Sequence, residues 1–184
     1  RLAKELLDEG RIGKLLSIRA EFGQYLPDWH PQEHYRNLYT CYERQGGGIL
    51  LDASHEIDYV NWISGNEVRK IACFSNRLCN LTLYTEDNAD ILLEYSNNVQ
   101  ASIHLDCIQK KYSRYCKLVG EMGNIEWDYL KPIVTIYNNN SEPEIHYLNK
   151  SIDPYLEEIK HFLRCVEGLE YPIVDANSAK KILE

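Results

Sequence analysis

Gly46-Gly47-Gly48-Ile49-Leu50-Leu51-Asp52-Ala53-Ser54-His55-Glu56-Ile57-Asp58-Tyr59-Val60-Asn61-Trp62-Ile63-Ser64-Gly65 is the stretch from which the fold is read. Its glycine triplet has no Cβ atoms, so the chain is free to turn sharply and to let a ligand come close. The run that follows predicts a helix, and Gly65 closes it at the position just past its end. At about 100° per residue, Ile49, Leu50, Ala53, Ile57 and Val60 share one face and form a core stripe. The opposite face carries Asp52, His55, Tyr59 and Trp62, with Leu51 and Asp58 beside them. A surface helix would show Lys and Glu there. This helix is therefore expected to be covered twice, by its own core and by a ligand or another domain.

Asp52 and His55 are three residues apart and can meet on one helix face. A carboxylate beside an imidazole fixes its tautomer and stabilises its charged form, which suits a general acid/base near neutral pH. The bland alternative is a salt-linked histidine on an ordinary helix. The glycine triplet and the aromatic neighbours favour a site.

The remaining numbers set bounds. A chain of 184 residues, 44% hydrophobic and 26% charged, can bury a sizeable core and gives no case for disorder. A net charge of −8 argues against broad nucleic-acid binding, which needs a basic face. No apolar run is long enough to span a membrane, and the start of the chain has no signal-peptide layout. The six cysteines have no C-x-x-C spacing, so they are read as reduced thiols of a cytoplasmic protein.

Outward from the helix, Arg1 to Glu9 reads as the tail of a helix with no capping residue before it, stopped by Gly10 and Gly13. The chain is thus expected to start inside an element, with more protein before it. Lys14 to Phe22 alternates as a strand. Gln24 to Gln45 has neither period and is rich in Tyr25, Trp29, His30, His34, Tyr35, Arg36, Tyr39 and Tyr42. Flat rings with hydrogen-bonding tips suit sugars or nucleotides, and Arg36 suits a phosphate or carboxylate. Each ring also serves, singly, to pack the loop onto the domain. After the helix, strands are predicted at 68–77, 89–95, 99–107, 112–119, 124–128, 132–137 and 144–148. Asp153 and Pro154 start a helix that ends before Gly168, and a last helix starts near Asp175. Helices before and after a run of strands give an α+β domain with a largely antiparallel sheet.

His30-Pro31-Gln32-Glu33-His34 matches H-x-x-E-H, a metallopeptidase signature. That chemistry needs both histidines on one helix face, and Pro31 with no amphipathic helix around it argues against zinc. His55-Glu56 begins an H-E-x-x-H that fails at Tyr59. Neither G-x-G-x-x-G nor a P-loop is present, so no metal site and no phosphate cradle is expected.

The run 46–58, with Trp62 and Gly65 after it, resembles the signature of the glucose–fructose oxidoreductase/inositol dehydrogenase/MocA family. Leu6-Leu7-Asp8-Glu9-Gly10-Arg11-Ile12-Gly13-Lys14 is similar to that family's passage from its nucleotide-binding domain into its second domain. His104-Leu105-Asp106, residues 120–127 and residues 157–163 also look like pieces of its members. The resemblance implies that residues 1–184 are one C-terminal domain, with 1–13 linking from an N-terminal Rossmann domain. It also implies an open sheet like that of the glyceraldehyde-3-phosphate dehydrogenase C-terminal domain, with helices packed on one face and the other face forming a homo-oligomer interface.

The implied activity is NAD- or NADP-dependent oxidoreduction of a sugar, nucleotide-sugar or cyclitol, the cofactor bound mainly by the Rossmann domain. His55 would exchange a proton with the reacting hydroxyl and Asp52 would steer it. Trp29, His30, Tyr35, Arg36 and Tyr59 would bind the carbohydrate-like substrate. Two features depart from the pattern. Many members place three residues between that Asp and His, where only Ala53-Ser54 stand here. Lys131-Pro132 is preceded by Leu130 and is not the family's Glu-Lys-Pro motif. Two further possibilities stay open: a non-catalytic oligomerisation or ligand-sensing domain of the same fold, and a metal-dependent hydrolase centred on His30, Glu33 and His34.

Overall fold

The computed structural model describes residues 1–139, 141–148 and 153–183. A helix α1 (Leu2–Asp8) leads into strand β1 (Leu15–Gly23). Four short 3-10 turns occupy the aromatic loop, followed by α2 (Ile49–Asp52) and α3 (Ser54–Ser64). Strands β2 (Val68–Asn76), β3 (Asn88–Tyr95), β4 (Gln100–Asp106), β5 (Ser113–Gly120), β6 (Gly123–Asp128), β7 (Ile133–Asn138) and β8 (Glu144–Tyr147) come next. Helices α4 (Pro154–Val166) and α5 (Ala176–Leu183) close the chain. The strands form one sheet in the order β2-β3-β4-β1-β5-β6-β7-β8. Every neighbouring pair is antiparallel except β1 with β4, which is parallel. The fold is α+β with an open, mostly antiparallel sheet, as the strand pattern predicts.

Alternation sorts the two faces. Ile18, Ala20 and Phe22 of β1, Ala101, Ile103 and Leu105 of β4, and Cys116 and Leu118 of β5 are buried on the face that α3 covers. An isolated eleven-residue helix is marginal in water. Burial of Val60 and Ile63 is what holds α3, each such side chain contributing about 1.5–3 kcal/mol. Gly65 ends α3 in the left-handed region with its N–H on the Asn61 carbonyl.

The helix expected over 49–64 is two helices. Ala53 leaves helical geometry (φ −103, ψ 19) between α2 and α3. Two anchors set two axes: the start of α2 is tied to Glu86, whose carboxylate accepts the Leu50 N–H at 3.0 Å, while α3 lies on the sheet. The glycine triplet also has a different task from the one its sequence suggests. A Cβ on Gly47 would stand 2.3 Å from the Tyr39 carbonyl oxygen, and one on Gly48 (φ +118) 2.4 Å from Glu86 Oε1. The close approach is made by the chain's own backbone and carboxylate, not by a ligand.

Asp153 caps α4 through the Tyr155 and Leu156 amides. The apolar stripe of α4 (Leu156, Ile159, Phe162, Leu163, Val166) is uncovered, each residue at least half exposed.

The sheet face away from α3 carries charged residues and exposed apolar ones, among them Phe74 and Leu92, and a charge cluster forms around His104. His104 Nδ1 lies 2.7 Å from Asp90 and Nε2 lies 3.2 Å from Asp106, with Glu21 its cross-strand neighbour on β1 and Arg19 close by. The hydrogen bond to Asp106, helped by Asp90, raises the His104 pKa to about 9. The folded-state value is therefore above the unfolded value of about 6.5. The stabilisation is fully present below that unfolded value and is lost as pH rises through about 9. Urea unfolding of the chain and of His104→Gln across pH 6 to 10 is expected to show a gap that closes at the alkaline end; a gap independent of pH contradicts it.

Candidate active site

His55 stands on the first turn of α3, with 48% of its side chain exposed. Phe22, at the far end of β1, organises its surroundings. The Phe22 ring meets His55 edge-on with centroids 5.8 Å apart, Trp29 at 6.2 Å and Tyr112 at 6.1 Å. The Trp29 indole is itself fixed by its N–H on the Gln24 carbonyl. The strand end thus brings Trp29 of the aromatic loop to the same ring as His55.

Beneath the imidazole lies a carboxylate removed from water. Glu56 is 0% exposed, and its Oε1 is 3.2 Å from His55 Nε2 and 2.7 Å from Arg114 Nη2. Arg114 comes from β5, where it is the cross-strand partner of Phe22 on the covered face. Its guanidinium carbon is 5.7 Å from the Trp127 ring centroid and 5.2 Å from that of Tyr129, a cation–π setting. A buried carboxylate needs its countercharge close at hand. Arg114 is that countercharge, held in place by aromatic walls.

Tyr59 is buried at its hydroxyl, which has no hydrogen-bond partner among the described residues. Its ring is edge-on to Trp127, and burial, followed by the nearby Cys116 and Glu56, raises its hydroxyl pKa far above the usual phenol range. Burial likewise pushes the Cys116 thiol up to about 12. With Trp62, Tyr59 lines an apolar groove of about 830 Å³ running between α1 and β6–β7.

Asp52, on α2, is on the other side of the break at Ala53. Its neighbour is the Tyr39 hydroxyl, whose pKa is raised first by their hydrogen bond. Hence the carboxylate in contact with His55 is Glu56, and the face shared by Asp52 and His55 on one continuous helix is not formed. In the aromatic loop, the Tyr35 hydroxyl accepts from the Thr82 amide at 3.2 Å and from Arg36 Nε at 3.4 Å. The Thr82 amide first, then Arg36, lowers its pKa. His34 stacks on Tyr35 at 5.0 Å, and the Tyr42 hydroxyl donates to the Arg36 carbonyl. Tyr35 and Arg36 therefore fold the loop onto the 79–85 segment. His30 is exposed. No group of three His, Cys, Asp or Glu side chains among the described residues is placed to hold a metal ion.

Glu56 and Arg114 are the site residues that the helix-face and loop patterns passed over. The signal was present. Glu56, Val60 and Ile63 are spaced i, i+4, i+7, which puts a glutamate inside the apolar stripe. Arg114 alternates with Cys116 and Leu118 on a covered strand face. A second cavity, about 620 Å³, opens beside Tyr112 and is lined by Lys110, Lys111, Arg114 and Lys131 with Glu21 and Asp128.

These residues do not fit a dinucleotide. The space beside Gly47 and Gly48 is filled by Tyr39, Thr40 and Glu86, and a carboxylate already occupies the α2 N-terminus where a phosphate would go.

Residues 1–126 match the family model described as the GFO/IDH/MocA C-terminal domain. The chain is 25% identical over 192 aligned positions to a myo-inositol 2-dehydrogenase of Thermotoga maritima, covering 98% of this chain and 54% of that protein. It spans about half the length of that curated relative. Among solved structures, an aldose-aldose oxidoreductase from Caulobacter crescentus complexed with glycerol superposes with a TM-score of 0.82 at 17% identity, over 98% of this chain and 54% of that one. An inositol dehydrogenase homolog from Azotobacter vinelandii, complexed with NAD+, superposes with a TM-score of 0.69 at 13% identity, over 83% of this chain and 41% of that one. These likenesses show the fold.

Proposed function

The chain belongs to the GFO/IDH/MocA family through its C-terminal domain, and from that premise we propose that it is the substrate-binding domain of a nicotinamide-dependent oxidoreductase. The substrate class is a sugar, nucleotide-sugar or cyclitol carrying the reacting hydroxyl or carbonyl. The observation that carries this is the half-exposed His55 on the first turn of α3, beside Trp29 and Phe22 at one end of β1. Flat aromatic faces suit a sugar ring, and an accessible imidazole suits proton exchange with its hydroxyl. The lysines beside Tyr112 suit a phosphate arm of a nucleotide-sugar.

In this proposal NAD or NADP is held by a Rossmann domain preceding residue 1, since the described residues form no fitting cradle. Arg1 and α4 line one cavity, so a domain joined before Arg1 emerges beside the bare apolar stripe of α4, which it would cover. The open sheet face, with Phe74 and Leu92 exposed, is proposed as the interface between copies. This chain contributes substrate orientation and the proton. His55 accepts the hydroxyl proton as the alcohol becomes a carbonyl and returns it in the reverse direction.

A non-catalytic, ligand-sensing role draws on one observation, the separation of Asp52 from His55. Calorimetry and a reductase assay decide between the two. The 184-residue chain is expected to give no binding heat with NAD or NADP. The same chain extended by its preceding domain is expected to reduce the dinucleotide in the presence of a sugar or cyclitol. Tight dinucleotide binding by the chain alone contradicts the division of labour. An extended protein that binds the dinucleotide but reduces none of it with any such substrate overturns the enzymatic role.

A further inference from the structure

We infer that the cavity beside Tyr112 is an anion subsite of the substrate pocket, and that the substrate carries a phosphate on the arm that reaches it. This rests on the substrate-binding role proposed above and narrows its substrate class to phosphorylated sugars or cyclitols. The chain has 28 Asp and Glu against 20 Lys and Arg, so a local excess of cations runs against its overall charge. Such an excess lies here. Lys110, Lys111, Arg114 and Lys131 line a cavity of about 620 Å³ that holds two carboxylates, Glu21 and Asp128. Two of the cations are engaged: Arg114 faces Glu56 at 2.7 Å, and Lys131 faces Asp128 at 3.0 Å. Lys110 and Lys111 form no ion pair among the described residues, and Lys110 rests its ammonium over the Tyr25 ring.

The turn that presents these two lysines is held in place. Asp106, the last residue of β4, accepts the Ile108 and Gln109 amides at 2.8 Å each. The Gln109 side-chain amide donates to the carbonyls of Gly23 at 2.9 Å and Lys111 at 2.8 Å. Gly23 follows Phe22, and a Cβ on it would stand 2.3 Å from the Gln109 side chain. The lysine turn is thus stitched to the strand end whose Phe22 ring meets both His55 and Tyr112. A hydroxyl at His55 and an anionic group at the lysines can therefore belong to one molecule. Lysine ammonium groups bind phosphate as point charges, and a turn fixed beforehand loses little freedom when it does so.

Amide chemical-shift titrations of the 15N-labelled 184-residue chain test this, with glucose 1-phosphate, uridine diphosphate glucose, glucose and myo-inositol as probes. They need neither cofactor nor turnover, so their outcome is separate from that of the enzymatic role. We expect saturable shifts at residues 109–113 with a phosphorylated probe and none with glucose or myo-inositol. Tighter binding of the nucleotide form identifies a nucleoside diphosphate arm; binding of the monoester at least as tightly identifies a simple phosphate. Lys110→Gln/Lys111→Gln alters two exposed side chains and is expected to weaken that binding about ten-fold or more. In the unaltered chain, a turn that responds to neither phosphorylated probe overturns the inference, as do equal shifts with the neutral probes. Shifts confined to lysines elsewhere, such as those of α5, would report an adventitious ion only and overturn it too. So would an unchanged affinity in the double variant.

Discussion

On the proposed role, His55→Ala in the full-length protein is expected to lower turnover by about 10²–10⁴-fold, the usual contribution of a positioned acid/base group. The size follows from what remains. Trp29, Phe22 and the loop are unchanged, so substrate still binds and the loss falls on the step in which the hydroxyl proton leaves. Water replaces the imidazole as proton acceptor, without the fixed placement of a ring packed against the Phe22 edge. The effect is therefore expected in kcat far more than in KM. Because 48% of the His55 side chain is exposed, the substitution empties little of the core and the fold persists. Steady-state kinetics on the full protein decide this, with circular dichroism as a control on folding. Turnover within a few fold of the unaltered enzyme would remove His55 from the mechanism.

Arg114→Met should be the most damaging single change to stability, by about 3–5 kcal/mol, the cost of leaving a buried charge without its partner. Glu56 has no water to turn to, since its side chain is 0% exposed and that of Arg114 only 21%. The double variant Glu56→Leu/Arg114→Met should recover most of the loss, because burying two apolar groups carries no desolvation penalty for charge. Urea unfolding of the three proteins measures the two costs and their coupling. A single variant within about 1 kcal/mol of the unaltered chain would mean that the pair is solvated, as surface pairs are.

Local pattern made most of the elements legible. Alternation placed Ile18, Ala20 and Phe22 on one side of β1, and the Asp153-Pro154 cap marked the start of α4. Neither pattern could order the strands. β1 lies in the middle of the sheet, parallel to β4, because the chain returns to it after β2 and β3. That pairing is long-range and leaves no trace in periodicity. The glycine triplet misled for a related reason: sequence shows that a Cβ is absent, not what fills the space, which at Gly48 is the carboxylate of the distant Glu86.

The site divides in the same way. His55 and Trp29 were singled out from composition and face, and the structure gathers both around Phe22. Tyr35 and Arg36 were chosen by residue type, but their hydrogen bonds run to Thr82 and to each other. Asp52 was paired with His55 on the assumption of an unbroken helix. Glu56 and Arg114 are charged residues on otherwise apolar faces, the informative exception that a burial argument looks for.

The central place of β1 has a consequence for how the chain comes into being. Ser17 pairs with Gln100 on one side and Val119 on the other. A ribosome therefore releases the keystone strand long before either neighbour has been made. Until then its Ile18, Ala20 and Phe22 edge has no native companion, and non-local pairing of this kind is slow and prone to association. Assembly of the sheet waits on β4 and β5, so the last residues to join the middle decide when the first ones are safe.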